Sequence, residues 1–416
     1  MVGKRPLRVA FLTPAWPPDA AANGIVSYVD TLTKALRQLG HTPRILTADS
    51  VNADFSSHVD SLELPDRSAL ARIRDGLAFR INPSAALRQS YARGLVRAAR
   101  CAIAEHGIEL LEMEESFGLV QLVKPRLPIP IVVRLHGPHF ANGPALGVPA
   151  DAVFRQRVSD EGVGIAKADA VSAPSRRVLE QTRAYYGQPL TGAAVIPNPS
   201  RAVPADQRWS LAECDRSRLL FVGRFDRHKG GDVVIDAFSR VVQRFPKVRL
   251  WFAGPTDQTL TDDQGRQWTL ARYLAERAPD LADRIDWLGR QPNSSLGELR
   301  RKASVTIVGS RYENFPMVVL EALAFGSPLA ATRTGGIVEI IEDGVNGVLA
   351  KPGDPDGLAA AILRLLEAPE FAAKIGRRAA DDAVQRYHPD VIARTTASFH
   401  QSLLDRWSTA AQRNLK

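Results

Sequence analysis

Residues 7–13, Leu-Arg-Val-Ala-Phe-Leu-Thr, form a nearly unbroken apolar run that reads as a buried parallel strand. Apolar residues then recur at helical spacing over 25–39, and Gly40 closes that run. A second strand covers 43–48. Strand, loop, helix, strand is the unit of a doubly wound α/β domain. The pattern loosens over 50–84, where Pro, Asn, Ser and Asp cluster. It resumes with a helix at 85–105 and strands at 108–112, 130–135, 169–173 and 193–196. The turn-rich stretch 197–217 lacks apolar periodicity and marks a domain boundary.

The rhythm restarts at 218. Strands are expected at 218–222, 248–253, 284–288, 304–308, 328–331 and 347–350. Helices are expected between them at 232–245, 267–277, 295–302, 316–325, 336–342 and 355–366, and the last fifty residues are mostly helical. The strands are too far apart for hairpins, so parallel sheets with crossover helices follow. Ligands of such sheets sit at the carboxyl ends of the strands, and two such domains make a cleft.

A chain of 416 residues holds two or three domains at about 100–200 residues each. With 45% apolar and 24% charged residues it has the balance of a soluble globular protein, not of a disordered chain, collagen or coiled coil. No apolar run approaches the roughly 18 residues of a membrane span. The basic start leads straight into a strand and lacks the apolar core of a signal peptide. Cys101 and Cys214 are the only cysteines, which excludes a disulfide scaffold and fits a reducing, cytoplasmic setting.

The net charge of +9 is uneven: residues 67–100 hold eight arginines and one acid, Asp75. A nucleic-acid binder would interleave several basic patches with aromatics, so nucleic acid is not the expected partner. On a helical wheel Arg93, Arg97 and Arg100 share one side of 85–105, opposite Leu87, Tyr91, Leu95, Ala98 and Ala102. Two readings stay open: a packed helix with a solvated arginine face, or peripheral association of 67–100 with an anionic membrane.

Four places concentrate chemistry. Within 221–231 a strand ends, Arg224 and Lys229 stand in a glycine-containing loop, and a helix begins near Asp232. Free helix N–H groups, a positive dipole and two cations make a diphosphate cradle; a solvated basic loop is the alternative. Within 313–321, Pro316 suits the first turn of a helix from Met317 to Phe325 that stops at Gly326. Glu321 then lies inside a buried helix, where a carboxylate needs a partner. Sugar or ribose hydroxyls would satisfy both glutamates; a core ion pair of Glu321 with an arginine is the alternative. His136 follows a strand and faces the expected cleft, or is a structural histidine. The loop after strand one ends in Asn23-Gly24, where Gly24 lets backbone approach a ligand. No Gly-x-Gly-x-x-Gly follows the first strand, and neither a Gly-x-Ser-x-Gly elbow nor a metal-ligand spacing is present.

Taken together, these residues resemble the retaining, nucleotide-sugar-dependent glycosyltransferases of family 4. Glu313 and Glu321 fit the Glu-x7-Glu motif, and Val222-Gly223-Arg224 through Lys229-Gly230 fits the Gly-Arg…Lys-Gly loop. Residues 168–175 and Val195-Ile196-Pro197-Asn198-Pro199 resemble the interdomain crossing, and Gly335-Gly336 continues the pattern. The resemblance implies a GT-B fold of two Rossmann-like domains, 1–200 on the acceptor side and 201–388 on the donor side. The helix at 389–416 is then expected to return to the first domain.

The resemblance also implies roles. Arg224, Lys229 and Gly24 would bind the donor diphosphate, and Glu321 the ribose. Glu313, Asn314, Phe315, Pro316 and Met317 would hold the donor sugar. His136 and Glu313 would be catalytic, and Arg290 would lie beside the base. Asn23 stands where the family commonly has glycine, and Asn tolerates left-handed backbone. The implied reaction retains anomeric configuration and needs no metal or other cofactor, because Arg, Lys and a helix dipole replace a divalent ion. The acceptor is a polysaccharide, glycolipid or small glycoside. Alternatives are a nucleotide-sugar epimerase of the same fold or a non-catalytic nucleotide-binding protein.

Overall fold

Strand β1 (Val9–Thr13) is buried at all five positions because its side chains alternate between two cores. Ala10 and Leu12 face one; Val9 and Phe11 face the other. The computed structural model describes residues 5–18, 23–48, 58–62, 83–262 and 264–413. They fall into two units, Met1–Phe140 with Ala150–Pro197 and Asp390–Lys416, and Ala141–Pro149 with Asn198–Pro389.

In the first unit β1 is followed by α1 (Gly24–Gln38), β2 (Arg44–Thr47), β3 (Val59–Ser61), α2 (Pro83–His106), β4 (Leu110–Glu114) and β5 (Ile131–Arg134). Then come α3 (Ala152–Lys167), β6 (Ala170–Ala173), α4 (Arg176–Tyr186) and β7 (Ala194–Val195). The sheet is parallel in the order β3-β2-β1-β4-β5-β6-β7. The chain builds outward from β1 to β3, then returns to the far side of β1 with β4, so the strand order reverses between β1 and β4. Helices α2, α3 and α4 cover one face, through Leu95, Ile165 and Val178 among others. The other face takes α1, through Tyr28, Val29 and Leu32, and residues Ile392, Ala393, Ala397 and Leu403 near the chain's end.

The second unit has β8 (Asp215–Val222), α5 (Gly231–Arg244), β9 (Arg249–Ala253), β10 (Leu260–Thr261), β11 (Gln267–Trp268), α6 (Leu270–Arg277) and β12 (Ile285–Gly289). It continues with α7 (Asn293–Lys302), β13 (Ala303–Val308), α8 (Met317–Phe325), β14 (Leu329–Thr332), β15 (Val348–Ala350), α9 (Pro355–Glu367) and α10 (Pro369–Arg386). Helix α11 (Pro389–Arg413) then leads back to the first unit. The main sheet is parallel, β12-β9-β8-β13-β14-β15, and reverses between β8 and β13. Ser200 donates through both its N–H (2.7 Å) and its hydroxyl (3.1 Å) to the carbonyl of Tyr387, pinning the strand of chain that enters this unit to the one that leaves it.

Helix α8 shows how sequence sets an element. Its residues Met-Val-Val-Leu-Glu-Ala-Leu-Ala-Phe are apolar everywhere except at Glu321, so it is buried on nearly every side. Burying Val319, Leu320 and Leu323 contributes about 1.5–3 kcal/mol each. Gly326 ends it in a left-handed conformation at φ 67°, as the sequence predicts. Pro316, however, stands just before the helix as its N-cap, with extended ψ of 128°, and not in the first turn.

Other expectations change. Leu260–Thr261 and Gln267–Trp268 form a two-stranded antiparallel ribbon, β10 with β11, so one antiparallel pair does occur, and α6 starts three residues later than 267. Gly265, at φ +76°, lies between the two strands. The helix expected at 336–342 is the single turn Ile337–Ile340. Helices α3 and α4 lie where the hydropathy pattern gave no helix, because α3 buries only a narrow stripe through Val158, Glu161, Gly162 and Ile165. Of the arginines in 67–100, those at 67, 72, 74 and 80 lie outside the described residues. On α2, Leu95, Ala98 and Ala102 are buried as expected, but Leu87 is 60% exposed. Arg88 pairs with Asp160, Arg97 is exposed, and Arg100 donates to the Arg126 carbonyl at 2.8 Å. No described helix is long and apolar enough to cross a membrane.

Candidate functional site

In the second unit the loops that leave the carboxyl ends of β8 and β13 flank the point where the strand order reverses. That is where an open α/β sheet leaves a crevice. The loop after β8 is folded by Asp226. Its carboxylate accepts from the Lys229 N–H at 2.6 Å and from Arg224 Nε at 2.6 Å, and its carbonyl accepts from the Gly230 N–H at 3.0 Å. Gly230 is left-handed at φ +66°, and a Cβ there would sit 2.0 Å from the Gly309 carbonyl oxygen. The two loops therefore touch backbone to backbone, which brings Lys229 to Glu313.

Lys229 Nζ lies 2.6 Å from Glu313 Oε1, and the Ser310 hydroxyl donates to the same oxygen at 2.7 Å. Burial pushes the Glu313 carboxyl up, but the Lys229 ammonium and the hydrogen bonds from Lys229 and Ser310 outweigh that and hold it below the usual carboxylate range. Burial also holds His228 below the usual imidazole range, so the ring is neutral, and its Nδ1 is buried without a hydrogen-bond partner among the described residues. A Cβ on Gly335 would be 1.6 Å from the Glu313 carbonyl oxygen, and one on Gly336 1.9 Å from that of Asn314. The two glycines thus form a floor directly beneath the motif, and the Gly336 N–H donates to the Glu313 carbonyl at 2.9 Å. Arg311 ties the same loop to the start of α5 through a two-pronged pair with Asp232, at 2.8 and 2.7 Å.

The motif residues after Glu313 divide by role. The Phe315 ring is buried in the core against Tyr387, so its backbone is what it can present. Asn314 and Met317 are partly exposed, and the first amides of α8 have no intrahelical acceptor. Those amides and the helix dipole favour an anion or a sugar oxygen. Of the two readings of Glu321, the ion pair is what forms. Its Oε2 pairs with Arg300, which is only 2% exposed, while Oε1 has no protein partner among the described residues. One carboxylate oxygen is thus left for a hydroxyl. Arg290 is exposed, just past the carboxyl end of edge strand β12.

His136 and Gly24 belong to the first unit, beside its own reversal point. Asn23 is extended (φ −136°, ψ 131°), so the left-handed backbone that Asn tolerates is not used here; its side chain caps α1 by accepting from the Ile25 N–H at 2.8 Å. One turn on, Tyr28 meets the His136 ring edge-on at 5.0 Å. Burial, with Arg134 adding to it, pulls His136 down to about 3, so the ring is neutral at ordinary pH. Its loop is held by Glu115, which accepts from the N–H groups of His136 (2.9 Å) and Gly137 (2.6 Å). Beneath lies a buried polar group: Glu112 accepts from the Tyr28 hydroxyl at 2.7 Å and meets His400 Nε2 at 2.9 Å, and the Arg134 guanidinium sits 4.2 Å from the Tyr28 ring centre.

Sequence reasoning missed Ser310, His228, Arg300, Arg311, Glu112 and Glu115. Arg300 had a signal, since a glutamate inside a buried helix demands a partner, but nothing in the sequence said which arginine.

The profile described as "Glycosyltransferase Family 4" matches residues 22–200, and that described as "Glycosyl transferases group 1" matches 205–382. A D-inositol 3-phosphate glycosyltransferase of Nocardiopsis dassonvillei is 30% identical over 265 residues, covering 62% of each chain. A glycogen synthase of Mycobacterium tuberculosis is 26% identical over 413 residues, covering 95% of this chain and 94% of that one. The chain therefore spans under two thirds of the first relative and nearly all of the second. Among solved structures, Anabaena HepE in complex with UDP-glucose has a TM-score of 0.67 at 19% identity, covering 95% of this chain and 99% of that one, a likeness of fold.

Proposed function

This chain belongs with the family 4-type glycosyltransferases of GT-B fold, and on that premise we propose that it moves a sugar from a nucleoside-diphosphate donor to a hydroxylated acceptor with retention. The observation that carries the reading is the meeting of Lys229, Glu313 and Ser310 at the reversal point of the second sheet. A diphosphate entering there exchanges one anionic partner of Lys229 for another, and Arg224 likewise leaves Asp226 for a phosphate oxygen. Glu313, released from Lys229, is then free to take the donor sugar's hydroxyls. The amides at the start of α8 meet a sugar or phosphate oxygen. Glu321 Oε1 takes a ribose hydroxyl, and exposed Arg290 lies against the base.

Charge grows on the leaving diphosphate as the glycosidic bond breaks, so fixed cations and a helix dipole there lower the barrier most. A neutral His136 can hydrogen-bond a sugar hydroxyl without adding charge, and the departing phosphate takes the acceptor proton. No divalent ion is needed in this scheme. The structure of HepE with UDP-glucose makes a uridine donor the first to try.

The test is thermal stabilisation by UDP-, GDP- and ADP-sugars, followed by turnover with and without an acceptor and with EDTA. Stabilisation by one donor and transfer that retains configuration support the reading. Conversion of the donor alone would make the chain an epimerase. Activity lost in EDTA and restored by magnesium would sink the metal-independent scheme. Exposed Arg97 and Arg100 on α2 extend the proposal to an anionic membrane surface; sedimentation with anionic vesicles at low and moderate salt tests that, and no binding at either would remove it.

A further inference from the structure

Phe117 breaks the local rules in two ways. It is one of two non-glycine residues with positive φ among the described residues (φ 59°, ψ 9°), and its ring is 49% exposed. A bulky side chain in left-handed backbone is disfavoured, and such strain persists only where the surroundings impose it. Here they do. The next residue, Gly118, is packed so tightly that a Cβ would lie 1.9 Å from the Asp160 carbonyl oxygen of α3, and Gly164 of the same helix leaves room for the Gly118 backbone. The Phe117 N–H is turned toward Glu161 Oε1 at 3.4 Å.

The position is as telling as the strain. Phe117 follows the carboxyl end of β4, which with β1 flanks the reversal point of the first sheet. Two carboxylates fix it relative to His136. Glu115, two residues earlier, holds the amides of His136 and Gly137, and Glu161 holds those of Phe117 and His139 (2.7 Å). The Arg157 guanidinium covers one face of the Phe117 ring at 4.2 Å from its centre, and its Nε is matched by Glu161 at 3.2 Å. The outcome is an aromatic ring backed on one side by an already neutralised cation, on a residue that remains 49% exposed.

We infer that Phe117 is an acceptor-side platform on which a neutral, saturated polyhydroxylated ring, a sugar or cyclitol, stacks. This rests on the glycosyltransferase reading only in naming the ring as acceptor. The apolar C–H face of such a ring matches an aromatic face, and the backing guanidinium, paired with Glu161, leaves no free positive charge to select an anion.

The test uses the full chain, with methyl α-D-glucopyranoside and myo-inositol as probes in ligand-observed NMR and inorganic phosphate as the anionic arm. Phe117→Trp should keep binding of a neutral ring. Phe117→Gly should weaken it about tenfold while leaving the melting temperature unchanged or higher, since glycine relieves the strained backbone. UDP titration of the same variants should be unaltered. Absence of binding of either ring to the unmodified chain, equal binding by Phe117→Gly, or displacement of the ring by phosphate would each overturn the platform. Failure of UDP to bind, with ring binding intact, would sink the donor reading and leave the platform standing.

Discussion

The ammonium of Lys229 sits 2.6 Å from the carboxylate of Glu313, 84 residues further along the chain. Each residue satisfies the other in a site where neither is fully exposed to water, with side chains 23% and 7% exposed. A phosphate that takes Lys229 must therefore leave Glu313 with a substitute partner. In the proposed reaction, donor sugar hydroxyls are the partner that arrives with it.

Opposite effects on nucleotide binding follow from the two halves of that pair. Glu313→Gln frees the ammonium, so UDP binding should hold or tighten while turnover falls about 10²- to 10³-fold. Lys229→Ala should lose UDP binding and, by stranding a buried carboxylate, lower stability by about 3 kcal/mol. UDP titration calorimetry and thermal melts on both variants check this.

His136 gives a pH signature. Its pKa is about 3 when folded and near 6.5 when unfolded. Between those values the unfolded chain binds a proton that the folded one does not, so stability falls as pH drops through that window. Glu313, held low, contributes in the same direction, but only below its unfolded value of about 4.5. Other buried histidines such as His228 act in the same direction between about pH 6.5 and 5, and Glu115, raised by burial to about 8, acts in the opposite one, so His136 is read from a difference: the melting-temperature profile of His136→Gln should be flatter there than that of the parent chain. Equal slopes would contradict the buried neutral ring.

The glycine floor should be intolerant. Gly335→Ala places a Cβ against the Glu313 carbonyl and must move the motif, so stability should fall by about 2 kcal/mol or more and turnover with it. Gly353→Ala, with similar φ of +71° but open space around it, should lower stability by about 1 kcal/mol and leave turnover alone. Melts and steady-state rates on the pair separate collision from backbone preference.

If Glu321 holds the ribose as proposed, one residue serves both stability and nucleotide binding. Glu321→Ala strands the Arg300 guanidinium, and about 3–5 kcal/mol should be lost. Replacing both, Arg300→Met with Glu321→Leu, should recover most of that stability without recovering UDP binding. A double variant that bound UDP normally would rule out the ribose contact.

Much of the molecule was written locally in the chain. β1 is a nearly continuous apolar run because both faces of its sheet are covered, and that needs only composition to see. The end of α8 at Gly326 follows from one residue's freedom at positive φ. The spacing of Glu313 and Glu321 and the cations of the loop after β8 announced a site before any fold was known. Helices α3 and α4 were hidden because what they bury is decided by neighbours: α3 presents Gly162 to the Tyr186 ring and Gly164 to the Gly118 backbone, not a broad apolar stripe.

Partner choice was beyond the sequence. That Glu321 needed a cation followed from burial, but that Arg300 supplies it depends on α7 lying beside α8. That Lys229 and Glu313 meet depends on the reversal of strand order between β8 and β13 and on two glycines, Gly230 and Gly309, letting their loops touch. Nothing in the sequence marks Phe117; its left-handed backbone comes with the packing of Gly118 onto α3. Residue types and short-range periodicity set which groups exist and which elements carry them. Long-range pairing, which no local pattern encodes, decided which of those groups face one another.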